Sequence, residues 1–176
     1  MTTFSHVGAL VFAVLLAGFS RSVSAQDLTE DKSRYEKNLI QALAEKSDLV
    51  VVAEVAATRS QWYGRSIVTV AEVKPLSVMK GRPPGDTFPV LVFGGTVGVI
   101  NQEFTHEPVL RVGEVAVLFL SAPRDEASRK YQSFRIVDED GKIPLLNPGE
   151  SKNRLTDNQR LARLLADLTS AISGGR

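Results

Sequence analysis

Two stretches of this chain, Leu49–Val55 (LVVVAEV) and Glu114–Leu120 (EVAVLFL), are rich in Val and Leu and contain neither Gly nor Pro. Side chains alternate sides along a strand, so a strand with one wet face reads apolar, polar, apolar. These two are apolar on both faces. They predict central strands, each covered by the sheet interior on one side and by a helix on the other.

The rest of the chain supplies the other layers. Gln26–Lys46 predicts an N-terminal helix, with Leu28, Tyr35, Leu39, Ile40 and Leu43 near one stripe and Thr29 as its N-cap. Ser66 to Val73 predicts a second strand, extended past a Pro75 bulge to Met79. Gln61-Trp62-Tyr63-Gly64-Arg65 reads as the loop between the first two strands. Thr87 to Phe93 reads as a third strand, broken by Gly94-Gly95 and resumed over Val97 to Asn101. Tyr131 to Val137 and Lys142 to Leu146 read as strands joined by a hairpin turn at Asp138-Glu139-Asp140-Gly141. A last helix follows. Thr156 and Gln159 have capping-box spacing, and Leu161, Leu164, Leu165, Leu168 and Ile172 form its apolar stripe. The fold class is therefore mainly β with flanking helices: a small antiparallel sheet of five or six strands, curled into a barrel or sandwich.

The first 25 residues read as an address. Val7 to Phe19 is an uncharged apolar run, too short to span a bilayer comfortably and suited to a secretory signal. Val23 and Ala25 place small residues where signal peptidase needs them, so cleavage between Ala25 and Gln26 is expected. The stretch ahead of the run lacks Lys and Arg, and an uncleaved anchor or buried helix is the alternative. The domain plan is residues 1–25 as signal peptide, 26–46 as helix, 47–146 as the β-domain, and 147–176 as loop and C-terminal helix. The mature form is expected in the periplasm or outside the cell, with no integral membrane span.

Composition narrows the chemistry. Among 176 residues there is no cysteine, which excludes disulfides, thiolate metal sites and a cysteine nucleophile. The 21 basic residues face 20 acidic ones; residues 1–25 hold one of the former, Arg21, and none of the latter, leaving a balance of zero. Such a chain has no long-range field to collect phosphates, so nucleic acid is not expected as a partner.

Three segments together resemble a known family. Ser47–Val55 is similar to the opening strand of netrin-like domains, the fold of the tissue inhibitors of metalloproteinases. Ile67–Gly81 resembles their second strand, running into a Lys-Gly turn, and Gly113–Leu120 the later strand that follows a Gly. Gly94–Gly98 looks more like exported bacterial proteins with the same strand order. The resemblance covers Ser47 to Leu146 and implies a five-stranded barrel of the oligonucleotide/oligosaccharide-binding (OB) type. The animal inhibitors place a disulfide-fixed N-terminal cysteine on the protease zinc. This chain has no cysteine, so that chemistry does not carry over.

Candidate site residues are few. Trp62 and Tyr63, with Arg59 and Arg65, bring aromatic and guanidinium groups to the first loop, a pattern enriched where proteins hold partners or sugars. Trp62 folded back as a plug of the barrel end is the alternative. Gly94–Gly98 lacks the following helix and lysine of a phosphate loop and reads as a tight corner. His106 lacks a recognisable nucleophile, and Asp138–Gly141 lacks the later ligands of a calcium loop. The reading is an exported, non-enzymatic binding module for a protein or glycan, without cofactor or metal. The alternatives are a secreted protease inhibitor or a hydrolase using His106.

Overall fold

The structure, a computed structural model, describes residues 25–150, 166 and 168–170, with side chains from Arg34 onward. The signal segment, the capping box at Thr156 and Gln159, and Leu161, Leu164, Leu165 and Ile172 lie outside the described residues.

The element order is α1 (Ala25–Lys46), β1 (Leu49–Tyr63), β2 (Ser66–Lys80), β3 (Phe88–Phe93), β4 (Gly95–Val97), β5 (Ile100–Gln102), β6 (Val115–Ser121), α2 (Glu126–Lys130), β7 (Phe134–Ile136) and β8 (Lys142–Leu146). The chain is thus mainly β. Six strands form one sheet in the order β1-β2-β3-β7-β6-β8, and β1 pairs with β6 as well; β4 and β5 form a separate two-stranded hairpin.

The two continuous apolar runs are β1 and β6, paired antiparallel from Leu49↔Leu120 to Glu54↔Val115. Their alternate side chains serve two cores. Leu49, Val51, Ala53 and Val55 pack with Ala71, Val73, Phe88, Val90, Leu118 and Leu120. Val50 and Val52 pack with Val117 and Phe119 against Ile40, Leu43 and Ala44 of α1. One face therefore meets other strands and the opposite face meets the helix. Leu168, in a helical stretch and fully buried, joins this second core. At the end of α1 the Ser47 hydroxyl donates to the Leu43 carbonyl at 2.7 Å and the Lys80 ammonium to that of Ala44 at 2.8 Å. These bonds satisfy carbonyls that a helix leaves open at its C-terminus.

Four sequence expectations are corrected. First, the sheet is mixed, because β7 runs parallel to β3, pairing Val90↔Phe134 and Leu91↔Arg135. β7 returns antiparallel to β6 after α2, which sets its direction before it meets β3. Second, Gln61–Tyr63 is not loop. The β1–β2 ladder runs out to Tyr63↔Ser66, leaving Gly64-Arg65 as the whole turn, because Trp62 and Tyr63 are strand formers that extend the pairing. Third, Val97 to Asn101 does not resume β3. Gly94 (φ 102°) and Gly95 (φ 127°) swing the chain out of β3 into the β4–β5 hairpin. Fourth, Asp138–Gly141 is no hairpin turn. β7 and β8 both run antiparallel to β6 and lie end to end along one edge of it, with Phe119 bonded to Val137 on one side of the break and to Gly141 on the other. The Pro75 irregularity falls where expected, with a register shift between Val52 and Ala53, whose partner is Pro75.

Candidate functional site

The β1–β2 arm has two faces, and register assigns each predicted site residue to one. Ser60 and Trp62 lie opposite Thr69 and Ile67, whereas Arg59, Gln61 and Tyr63 alternate to the other side. Trp62 is thus separated from Arg59 and Tyr63, and Arg65 sits in the turn. The four residues do not form one site.

On the Arg59 side, Nη2 of Arg59 donates to Oε1 of Gln61 at 2.9 Å beside a shallow groove of about 370 Å³ that Tyr131 also lines. Tyr63 packs edge-on against Tyr131 at 6.3 Å, and Lys130 Nζ lies 5.3 Å from the Tyr63 ring centre. Desolvation pushes the Tyr63 phenol up from its usual pKa, and the neighbouring Glu126 and Asp125 act in the same direction. Tyr63 is therefore packed against α2, whose N-cap is Asp125, accepting from the Ser128 N–H at 2.8 Å.

The Trp62 side is built differently. The β4–β5 hairpin folds over it, and a Cβ on Gly95 would stand 2.3 Å from Thr69 Oγ1 and 2.5 Å from Ser60 Oγ. Only a residue without a side chain permits this approach. The Ser60 and Thr69 hydroxyls are 2.8 Å apart, and Thr69 donates to the Gly94 carbonyl at 2.7 Å. Gln102 pins the hairpin to the arm: its Oε1 accepts from the Ile67 N–H at 2.5 Å and its Nε2 donates to the Arg65 carbonyl at 3.3 Å.

Between this hairpin and the segment 103–110 lies a cavity of about 260 Å³. Thr69, Val92 and Leu110, all buried, line it, together with Phe104, Pro108 and Val109. Thr96, Asn101, Gln102, Glu103 and Glu107 add polar groups to its lining. Glu107 forms an ion pair with Arg135, and its second oxygen accepts from the Phe93 N–H at 3.2 Å. The Arg135 guanidinium lies 4.7 Å over the Phe93 ring, and the ring stands 5.8 Å from that of Phe104. Glu103 accepts from the Asn101 amide at 3.2 Å, and among the described residues no cation pairs with it.

Exposed apolar groups are frequent on the hairpin and the segment that follows it. Trp62 (47 % exposed), Val99 (98 %), Ile100, Phe104, Val109 and Val112 account for six of the nine large exposed apolar side chains among the described residues. Of these, Phe104 and Val109 line the cavity and Val99 and Ile100 belong to the hairpin beside it; exposed apolar groups placed in this way mark interaction sites.

His106 is exposed, with its Nδ1 2.5 Å from Glu139 Oε2, and that hydrogen bond raises its pKa above the usual 6.5. The contact ties the cavity segment to the turn 138–141. That turn uses its acids locally: Asp138 faces Lys46 at 3.6 Å and Glu139 holds His106. Among the described residues no three His, Asp or Glu side chains cluster closely enough to hold a metal ion, and no helix is long and apolar enough to cross a membrane.

Sequence reasoning named Trp62 but missed Asn101, Glu103, Phe104 and Val109. A signal was present: no Lys or Arg occurs between Arg82 and Arg111, while Val99, Ile100, Phe104 and Val109 lie in what reads as loop. Neither a comparison with models of protein families nor one with curated proteins finds a match for this chain.

Proposed function

We propose that this protein is an exported, non-enzymatic binding module that holds a protein partner against the face formed by Trp62, the β4–β5 hairpin and the segment 103–112. The observation that carries the reading is that exposed Phe104 and Val109 line the cavity, while exposed Val99 and Ile100 lie on the hairpin that walls it and exposed Trp62 lies on the arm face that hairpin covers. Interfaces are enriched in such aromatic and aliphatic anchors, and soluble surfaces rarely leave them grouped without a role. The pairings β1–β2, β2–β3, β3–β7, β7–β6 and β6–β1 form a circuit, which supports an OB-like barrel and, with the segments named above, the netrin-like reading. OB barrels bind through the face of strands 2 and 3 and the loop between strands 1 and 2, and Trp62 lies beside the β1–β2 turn. Export rests on the apolar run Val7–Phe19 and the small residues at Val23 and Ala25.

The test compares two faces. The double variant Trp62→Glu/Ile100→Glu and the opposite-face variant Arg59→Glu/Tyr131→Ala are immobilised beside the wild type, after circular dichroism shows each is folded. A protein held by the wild type and the opposite-face variant, and lost from the Trp62 variant, supports the reading. Retention by the Trp62 variant, or capture of polysaccharide instead of protein, overturns it.

A further inference from the structure

We infer that the cavity behind the β4–β5 hairpin seats one apolar side chain of an extended partner segment in which that residue is flanked by lysine or arginine. The inference deepens the docking face proposed above and rests on it. Three observations carry it.

The first is size. At about 260 Å³ the cavity falls just below the ~300–1,000 Å³ of sites for drug-sized ligands and suits a single side chain. The second is the polarity of its floor. Val92 and Leu110 are apolar, and the one buried hydroxyl there, that of Thr69, is already bonded to Gly94 and Ser60. An apolar side chain entering the cavity therefore leaves no floor donor unsatisfied. The third is charge. Among the described residues the lining contains Glu103 and Glu107 and no Lys, Arg or His. Arg135 answers Glu107, whereas among the described residues Glu103 has only the neutral Asn101 amide. An exposed carboxylate without a cation beside an apolar cavity favours a basic residue next to the apolar anchor and disfavours an acidic one.

Capped Lys-Leu-Lys, Lys-Ser-Lys and Glu-Leu-Glu tripeptides serve as probes in two-dimensional amide NMR of the purified protein. Lys-Leu-Lys is expected to shift Gly94, Gly95, Gln102 and Phe104 saturably, and Lys-Ser-Lys to leave them in place. Glu-Leu-Glu is expected to bind more weakly by about two- to fivefold, the range of a solvent-exposed charge pair. Glu103→Gln, a near-isosteric change, should narrow that gap. No shift with Lys-Leu-Lys, equal shifts with Lys-Ser-Lys, or an unchanged gap in Glu103→Gln overturns the inference. Silence of Lys-Leu-Lys together with partner loss in Trp62→Glu/Ile100→Glu refutes the cavity occupant and leaves the docking face standing. Cavity shifts together with partner loss only in Arg59→Glu/Tyr131→Ala refute the docking face and, because the inference rests on that face, the inference with it.

Discussion

The ammonium of Lys142 stands 2.6 Å from Oε1 of Glu114, with the two side chains 11 % and 3 % exposed. The same ammonium donates to the Val109 carbonyl at 2.6 Å, and Oε2 of Glu114 accepts from the Arg111 N–H at 3.1 Å. One buried pair thus ties β8, the start of β6 and the wall of the cavity together. Lys142→Met removes the cation and leaves a carboxylate stranded in the interior. Breaking one side of a buried pair costs about 3–5 kcal/mol. Urea unfolding should show a loss of that order, with part of it regained in Lys142→Met/Glu114→Gln, because the neutral amide keeps an acceptor for Arg111 without a buried charge. Equal stability of the single and double variants would show that the charge is not what the cation offsets.

The parts of this fold that were legible in the sequence are those where local composition fixes the environment. The runs in β1 and β6 required two covered faces, and they have them, strands on one side and α1 on the other. The parts that were not legible depend on which distant segments meet. Nothing local in Phe134–Ile136 says that it runs parallel to β3, or that β7 and β8 share one edge of β6. The five-residue α2 is too short for a periodic signal; only Asp125 and Ser128, its capping pair, mark it. The candidate site suffered most. Trp62 and Tyr63 are neighbours in sequence, but strand geometry sends them to opposite faces, and treating Gln61–Arg65 as a loop concealed that alternation.

Gly95 offers a sharp test of the hairpin's position. Its φ of 127° is costly for any residue with a Cβ, and that Cβ would collide with the Ser60 and Thr69 hydroxyls. Strain of this type costs on the order of 1–3 kcal/mol before the collision is added. Gly95→Ala should therefore lower stability by at least that amount in urea unfolding. Hydrogen exchange should quicken at Ile67, whose N–H is held by Gln102 of the displaced hairpin. Unchanged exchange at Ile67 would mean that the hairpin does not rest on the arm.

His106 couples pH to the same region. The hydrogen bond it donates to Glu139, helped by the charges of Glu139 and Asp138, raises its pKa above 6.5. Asp138 is itself faced by Lys46. A histidine whose folded-state pKa exceeds its unfolded value contributes stability that is fully present below about pH 6.5 and disappears as pH rises through the folded value. Imidazole NMR titration should place His106 above 6.5 in the wild type and nearer the ordinary value in Glu139→Gln. The stability difference between the two proteins should shrink from mildly acidic to alkaline pH. A titration midpoint unmoved by Glu139→Gln would show that the contact does not persist in solution.

Leu43 tests whether α1 belongs to the same cooperative unit as the sheet. Its side chain is 2 % exposed and packs in the core formed by Val50, Val52, Val117 and Phe119 on the outer face of the two central strands. Those four residues are apolar because the helix covers them; without it a Val- and Phe-rich face would meet water. Leu43→Ala removes buried volume from that layer, and leucine truncations of this kind cost about 2–5 kcal/mol, depending on how far the site can collapse. If helix and sheet unfold together, far-ultraviolet circular dichroism and Trp62 fluorescence should shift to the same lower urea midpoint. Were the helix an independent appendage, Leu43→Ala would lower helix content and leave the Trp62 transition where it is in the wild type.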